Sequence, residues 1–390
     1  MNATIEPLMN DGFAGAPSKR ALAYVEARKK KGDSVVGIYC GYAPLEVIRA
    51  MDAVPAILCA FSNGPIETAE AVLPSNLCPL IKSSYGFIVN GTCPFFGVSD
   101  AIIAETTCDG KKKMFELIAD IKPMFVMDLP QLPDEKEASQ NWTVMIRKLQ
   151  GFLETTFGRK IDNERIELEI RDTNLKNALM QKLFDFGAMS PPPVHWTELY
   201  DVIYLAQVSS GAEMKPIVEE CITRLEKRVR EGVFFGKPAA PRVLITGCPV
   251  GGDATKIFRI IEEAGGIVVA LDSCTGMKAF ADTIPEGSPD PVAAIADRYL
   301  KLPCSCMTPN SRRLDELDRY IERFRPDVVI DFVLYACHSY NVESYRVGEH
   351  VKRKHGLQFL KIVTDYSDSD AGQIRTRVDA VLEMAAAFPR

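Results

Sequence analysis

The sequence predicts an α/β fold made of two doubly wound, parallel-sheet (Rossmann-like) domains joined by a helical segment. Short apolar runs alternate with charged, helix-periodic stretches in the first and last thirds of the 390-residue chain, which is typical of parallel strands covered by helices. The middle of the chain instead shows the 3.6-residue periodicity of amphipathic helices. We therefore expect domain boundaries that give residues 1–135, 136–236 and 237–390.

The first unit is expected to begin with a surface helix over Pro17–Lys31. Predicted strands follow at Asp33–Cys40, Val54–Phe61, Ser99–Glu105 and Met124–Leu129. One predicted helix opens at Pro44, where proline suits a first turn, and another covers Lys111–Ile121. Because ligands of open α/β sheets bind beyond the carboxyl ends of the strands, the loops after these strands are where we expect a site.

The same hydrophobic patterns predict the helices and strands of the middle segment and the second unit. Amphipathic helices are predicted over Trp142–Phe157, Asp162–Phe186 and Pro216–Arg230, and the proline-rich residues 237–241 form a stiff linker. A strand with the turn that follows it is predicted over Arg242–Gly252, and further strands at Ile267–Asp272, Leu357–Val363 and from Val328 towards Cys337. Helices are predicted over Ala254–Ala264, Leu314–Phe324 and Ile374–Phe388.

Composition excludes several classes of function. The net charge of -6 offers no electrostatic basis for binding nucleic acid or an anionic membrane. The longest apolar runs fall far short of the ~20 residues that a membrane span needs. Residues Met1–Ala16 show no basic region followed by an apolar core, so no signal peptide is expected. These features predict a cytoplasmic protein.

The 11 cysteines are the main chemical signal of the chain. In a reducing compartment, metal binding or catalysis is a better explanation for them than disulfides. Cys40, Cys108 and Cys337 end predicted strands and precede helices, whose N-termini favour thiolates. The loop residues Cys78, Cys274 and Cys306 are further candidate ligands, with Cys304 as an alternative to Cys306.

The other cysteines are interpreted as structural. Cys59 and Cys221 lie in apolar or amphipathic segments typical of the core. The contexts of Cys93 and Cys248 are intermediate and favour a structural role over ligation. A zinc site is disfavoured because the one tight pair, Cys304–Cys306, lacks the usual Cys-x-x-Cys spacing. Ligands spread over separate strand ends instead suit an iron–sulfur cluster in the cleft between the two domains.

A few other residues are considered for the same site. His338, beside Cys337, is a candidate proton donor or general base, the alternative being a buried structural imidazole. Glu46 is a candidate carboxylate near Cys40, the alternative being a charge that stabilises a helix N-terminus. Lys111–Lys113 is interpreted as a solvated helix face. The turn at residues 247–252 resembles a phosphate loop, but Asp253 replaces the required lysine, so ATP hydrolysis by this chain is not predicted.

The motifs together resemble a known family. Cys78 and Cys108 are 30 residues apart, Cys306 and Cys337 are 31 apart, and the two units read as imperfect repeats. The motifs that carry the resemblance are YCGYAPLE at 39–46, LPSNLC at 73–78, TTCDGKK at 106–112, CTG at 274–276, CSC at 304–306 and ACH at 336–338. They resemble the 2-hydroxyacyl-CoA dehydratase component D family, nearly end to end, and look closest to its single-subunit double-cubane branch.

This resemblance implies a cofactor, partners and ligands. It implies an [8Fe-9S] double cubane, with [4Fe-4S] as the alternative, held by Cys40, Cys78, Cys108, Cys274, Cys306 (or Cys304) and Cys337. It further implies an oxygen-sensitive homodimer and an ATP-hydrolysing iron–sulfur activator protein that supplies electrons. The leading hypothesis is a reductase of a small molecule. The alternatives are a 2-hydroxyacyl-CoA dehydratase acting through a ketyl radical, and a non-catalytic, two-lobed redox-sensing or binding protein.

Overall fold

The computed structural model describes residues 7–387 and contains two four-stranded sheets, in which every pairing is parallel. The first sheet has the order β2-β1-β3-β4 and the second the order β6-β5-β7-β8. The strands are β1 Ser34–Ile38, β2 Ala53–Ile57, β3 Ala101–Glu105, β4 Met124–Met127, β5 Arg242–Gly247, β6 Ile267–Asp272, β7 Val328–Leu334 and β8 Gln358–Thr364. The predicted α/β class with two repeated parallel sheets is confirmed.

Helices cover both sheets and fill the chain between them. They are α1 Pro17–Lys30, α2 Leu45–Arg49, α3 Ile66–Ala69, α4 Pro79–Val89, α5 Pro94–Val98, α6 Asp109–Ala119, α7 Ala138–Phe157, α8 Asn163–Phe184, α9 Trp196–Val208, α10 Gly211–Glu231, α11 Lys256–Glu263, α12 Pro291–Leu300, α13 Ser311–Phe324, α14 His338–His350 and α15 Ala371–Ala387. Short 3-10 turns lie at 185–188, 252–255 and 277–280, and a π-helical turn at Val351–His355 follows α14. Phe388, predicted to end the last helix, lies outside the described residues. No helix within residues 7–387 is long and apolar enough to cross a membrane.

Two differences from the predicted elements have clear physical causes. The second strand ends at Ile57, so Cys59 lies in the loop beyond it and not inside a strand as predicted. Helix α9 has no counterpart in the prediction, because nearly all its residues are buried and it therefore shows no polar face. It packs against β2 of the first sheet and β6 of the second, which requires an apolar surface on both sides.

The helices of the middle segment join the two units. Helix α12 of the second unit packs against α7 and α8, and α2 of the first unit packs against α8. Side chains of α8 also bond to the second unit, with Asn174 Nδ2 donating to Ile284 O at 2.8 Å and Asn177 Nδ2 donating to Asp282 O at 2.8 Å. This packing holds the carboxyl ends of the two sheets on either side of one cleft.

The glycine-rich turn after β5 is a contact between the units. Asp253, which stands where a phosphate loop has lysine, accepts a hydrogen bond from Asn63 N at 2.8 Å. Its own amide donates to Phe61 O at 2.8 Å. Gly252 has φ +47°, and a Cβ there would lie 2.4 Å from Phe61 O, so the close approach of the two backbones requires glycine. The turn therefore has a structural role.

Candidate functional site

Equivalent loops of the two sheets carry cysteines at matching positions. Cys108 and Cys337 each lie three residues beyond their strands, β3 and β7, and directly before the helices α6 and α14. Cys59 and Cys274 each lie two residues beyond β2 and β6. Because β3 and β7 occupy the same place in their sheets, the repeat seen in the sequence is also a repeat of the loops that face the cleft.

The cleft between the units is lined by thiols. It has a volume of about 780 Å³ and is lined by eight of the 11 cysteines of the chain. These are Cys40, Cys78, Cys108, Cys248, Cys274, Cys304, Cys306 and Cys337. All six predicted ligands and the alternative Cys304 thus meet in one cavity, although separate segments of the chain contribute them. Cys248 joins them, although its sequence context suggested a structural role.

One group of thiols combines residues from both units. Cys337 accepts hydrogen bonds from the thiols of Cys248 and Cys78, which lower the pKa of Cys337 well below its ordinary value. The same contact with Cys337, together with burial, raises the pKa of Cys78. Cys78 is the residue before α4 of the first unit, whereas Cys248 and Cys337 follow β5 and β7 of the second. Thiols contributed by the two units therefore meet at the cleft.

A second group surrounds the Cys304–Cys306 pair. A hydrogen bond from Cys306 lowers the pKa of Cys304 to about 6, while the same bond raises the pKa of Cys306. Burial, followed by the charge of Cys304, raises the pKa of Cys274 to about 12. Cys40 faces both Cys274 and Cys304, and burial raises its pKa as well. Of the pair, Cys304 is thus the thiol that is more readily deprotonated.

Lys111 supplies a positive charge to these thiols. It lines the cleft and its ammonium donates to Tyr39 O at 3.2 Å, whereas Lys112 and Lys113 are exposed as predicted for a helix face. Burial opposes its charge, but the nearby Cys59 and Cys40 outweigh burial and raise the pKa of Lys111 well above its ordinary value. The interpretation of all three lysines as solvated is therefore wrong for Lys111, whose position at the third residue of α6 turns it inward.

A smaller inner cavity opens from the cleft. It has a volume of about 140 Å³ and shares Cys40, Cys274 and Cys304 with the larger cavity. Its walls are mainly apolar and aromatic, but Lys176 and Lys278 also belong to them. Burial lowers the pKa of Lys176 well below its ordinary value, whereas nearby acids, Asp272 above all, outweigh burial and raise the pKa of Lys278. Ligand pockets for drug-sized molecules usually measure ~300–1,000 Å³, so this cavity suits a smaller molecule. The amine of Lys176 and the ammonium of Lys278, which lies 3.3 Å from Asp272 Oδ1, favour a polar one.

The remaining predicted residues lie in different environments. His338 lines the cleft and is exposed, so it is not a buried structural imidazole. Glu46 is completely buried in α2 and belongs to the lining of neither cavity. Cys221 is buried in α10 and Cys93 caps α5 by accepting from Phe96 N, both outside the cleft. Cys59 lines the inner cavity and donates to Tyr39 O at 2.9 Å.

Glu105 is a buried acid that the sequence analysis did not single out. It ends β3, is completely buried, and neither carboxylate oxygen has a hydrogen-bond partner within residues 7–387. Burial raises its pKa to about 8, although the positive charge of Lys111 acts in the opposite direction. The sequence feature that could have identified Glu105 is that it is the one charged residue at the end of an otherwise apolar strand. Its carboxyl group is therefore protonated at neutral pH.

The substitution Glu105→Gln is expected to change how stability depends on pH. Because the folded-state pKa of about 8 exceeds the ordinary 4.5, the stabilisation due to the proton is complete below about 4.5 and is lost as pH rises through about 8. The loss has an upper limit of about 5 kcal/mol, at about 1.4 kcal/mol per pKa unit. Melting temperatures from pH 5 to 9 should therefore fall in the wild type and stay flatter in Glu105→Gln. Glu116→Gln, an exposed position on α6, is the control, and parallel profiles for all three proteins would mean that Glu105 is ionised in the folded state.

Comparison with known proteins assigns the chain to a family. The family described as 2-hydroxyglutaryl-CoA dehydratase, D-component, matches residues 40–385. The chain is 40% identical over 383 residues to "Putative dehydratase subunit YjiM" of Escherichia coli strain K12, covering 97% of this chain and 98% of that protein. It is 22% identical over 371 residues to the lactoyl-CoA dehydratase subunit beta of Anaerotignum propionicum, covering 95% and 96%. It is also 21% identical to a benzoyl-CoA reductase subunit of Thauera aromatica over 260 residues, 66% of this chain and 62% of that protein.

Proposed function

Because this chain belongs to the 2-hydroxyglutaryl-CoA dehydratase D-component family, we propose that it is an iron–sulfur reductase component that reduces a small molecule. Its electrons would come from an ATP-hydrolysing iron–sulfur activator protein, and the active form would be a homodimer. The observation that carries the proposal is the convergence of eight thiols from both units on one cleft.

The donor set fits an iron–sulfur cluster. Cysteine thiolates are the usual ligands of such clusters, and this cleft offers enough of them for two cubanes with three ligands each. We propose an [8Fe-9S] double cubane, as in the single-subunit branch, held by Cys40, Cys78, Cys108, Cys274, Cys337 and one of Cys304 and Cys306. The lower pKa of Cys304 favours it over Cys306, and the contact of Cys248 with Cys337 makes Cys248 a further candidate. When bound, such a cluster supplies single electrons at low potential.

Side chains around the cleft would stabilise the cysteine thiolates, orient the substrate and hold protons. Lys111 places a positive charge beside the thiolates, which lowers the cost of holding them in a buried site. Lys176 and Lys278 would orient a small polar substrate in the inner cavity, whose apolar walls exclude water. Glu105 holds a proton behind Lys111 at neutral pH, and the exposed His338 is placed to exchange protons with solvent.

The first test is the iron and acid-labile sulfide content per chain after strictly anaerobic purification, with an electron paramagnetic resonance spectrum of the reduced protein. We expect about eight irons and slightly more sulfide. About four irons would instead favour a dehydratase-like subunit with a [4Fe-4S] cluster. A chain without iron after anaerobic reconstitution would rule out both enzymes and leave a two-lobed binding or sensing protein.

The second candidate is a 2-hydroxyacyl-CoA dehydratase or a subunit of one. The names of two relatives favour it, one of them 40% identical to this chain. The inner cavity favours the first candidate, because a volume of about 140 Å³ suits a small molecule better than an acyl-CoA thioester. Turnover of a 2-hydroxyacyl-CoA in the presence of an activator protein and ATP would decide for the dehydratase.

A further inference from the structure

The second unit contains a cluster of two histidines and an aspartate that the proposed reaction does not use. Asp318 lies on α13, His350 ends α14, and His355 ends the π-helical turn that follows. His350 Nε2 and His355 Nε2 each lie 2.6 Å from Asp318 Oδ1. The side chains of Asp318 and His355 are 12% exposed and that of His350 is 18% exposed. The cluster is at the opposite end of α14 from Cys337, about 20 Å along the helix at 1.5 Å per residue.

The π-helical turn brings the two imidazoles together. In a regular α-helix, side chains five residues apart point about 140° away from each other. The wider turn at Val351–His355 turns His355 back to the side of His350, so both rings meet the same carboxylate oxygen. Single π-helical turns of this kind often occur at functional sites.

The two histidine rings share one oxygen of the Asp318 carboxylate, because a lysine occupies the other. Lys354 Nζ donates to Asp318 Oδ2 at 2.5 Å, so the rings share only Oδ1. Burial opposes the charge of Asp318, but hydrogen bonds from Lys354, His355 and His350 outweigh it and lower the pKa of the carboxyl group to about 2. The Lys354 side chain is 55% exposed, and the carboxylates of Asp315 and Glu322 act on it as well. The local balance of charge is therefore compatible with a bound dication.

We propose that Asp318 Oδ1, His350 Nε2 and His355 Nε2 form a divalent-metal site, separate from the thiol cleft, that takes zinc or a cation of similar preference. The three ligand atoms lie within 4.8 Å of one another, and two imidazoles with one carboxylate are a donor set that zinc accepts. Lys354 on Oδ2 is the outer partner that holds the carboxylate in one orientation.

Metal binding at this site requires a change of tautomer and a widening of the two Nε2–Oδ1 distances, which are 2.6 Å in the hydrogen-bonded cluster. Without metal, each ring donates Nε2–H to the carboxylate oxygen Asp318 Oδ1. With metal, the proton of each ring moves to Nδ1 and the Nε2 lone pair faces the cation, so no electron transfer is involved. The metal would tie α13 to the far end of α14, the helix whose first turn follows Cys337, and so has a structural role.

The test is equilibrium dialysis of the anaerobically purified, iron-loaded chain against zinc chloride, with zinc measured per chain. The double variant His350→Gln/His355→Gln keeps an amide donor for Asp318 but loses both imidazole ligands. His195→Gln is the matched control, since His195 Nδ1 also lies near a carboxylate, Glu262 Oε1, at 3.2 Å. The wild type and the control should bind one zinc more per chain than the double variant, and zinc should raise the melting temperature of those two by more than that of the double variant.

Zinc bound by cysteines contributes equally to all three proteins, so the difference isolates the histidine site. Should the double variant misfold, His355→Gln alone retains His350 on Asp318 and is expected to weaken zinc binding at least ~10-fold. Equal zinc content and equal melting shifts in all proteins would overturn the proposal and leave a hydrogen-bonded cluster only. The iron content is measured on the same samples, so failure of the proposed cluster is detected separately.

Discussion

Replacing Cys337 with serine is expected to remove at least about half of the iron and to lower activity more than ~100-fold. Cys337 accepts hydrogen bonds from both Cys248 and Cys78, and it directly precedes α14, whose N-terminus favours a thiolate. Serine has nearly the same shape, but its hydroxyl is a poor substitute for a thiolate ligand. Iron and sulfide content, with the paramagnetic resonance spectrum of the reduced protein, measures the effect.

Cys221→Ser is the control for that experiment, since Cys221 is a buried cysteine of α10 that lies outside the cleft. It should keep its full iron content. The pair Cys304→Ser and Cys306→Ser identifies the ligand in that loop, and the pKa of about 6 for Cys304 predicts the greater loss for Cys304→Ser. A Cys337→Ser protein with wild-type iron and an unchanged spectrum would show that this cysteine is not a ligand.

The substitution Arg313→Met is expected to destabilise the fold by about 3–5 kcal/mol. The Arg313 side chain is 1% exposed and lies 3.5 Å from Asp331 of β7, which is completely buried. It also bonds to Glu343 of α14, so one guanidinium ties α13 to the central strand and to the helix after Cys337. Methionine fills much of the space but leaves the buried carboxylate of Asp331 without its guanidinium partner, and breaking a buried pair costs more than the pair contributes.

The control for the arginine is its sequence neighbour. Arg312 pairs with Asp134 at 2.8 Å on the surface, with side chains 37% and 52% exposed, so Arg312→Met should cost at most about 1 kcal/mol. Thermal and denaturant unfolding of the two variants gives the comparison. Equal losses of stability would mean that the Arg313 network contributes no more than a surface ion pair.

The sequence by itself determined the parallel sheets and the loops that carry the site. Strands buried on both faces read as continuous apolar runs, and cysteines placed just after them, such as Cys108 and Cys337, must lie at the carboxyl edge of a sheet. These are local patterns with a fixed period, so they can be interpreted without knowing the rest of the fold. The family resemblance rests on the same local motifs.

The tertiary structure alone decided which groups meet. Cys78 lies beside Cys337 because the helices of the middle segment hold the carboxyl ends of the two sheets on either side of one cleft, and nothing in the sequence near either residue records that distance. The inward turn of Lys111 and the protonated state of Glu105 likewise depend on burial by distant segments, since burial sets the energy of a charge. The meeting of His350 and His355 required a π-helical turn, which changes the direction of a side chain without altering the hydrophobic pattern.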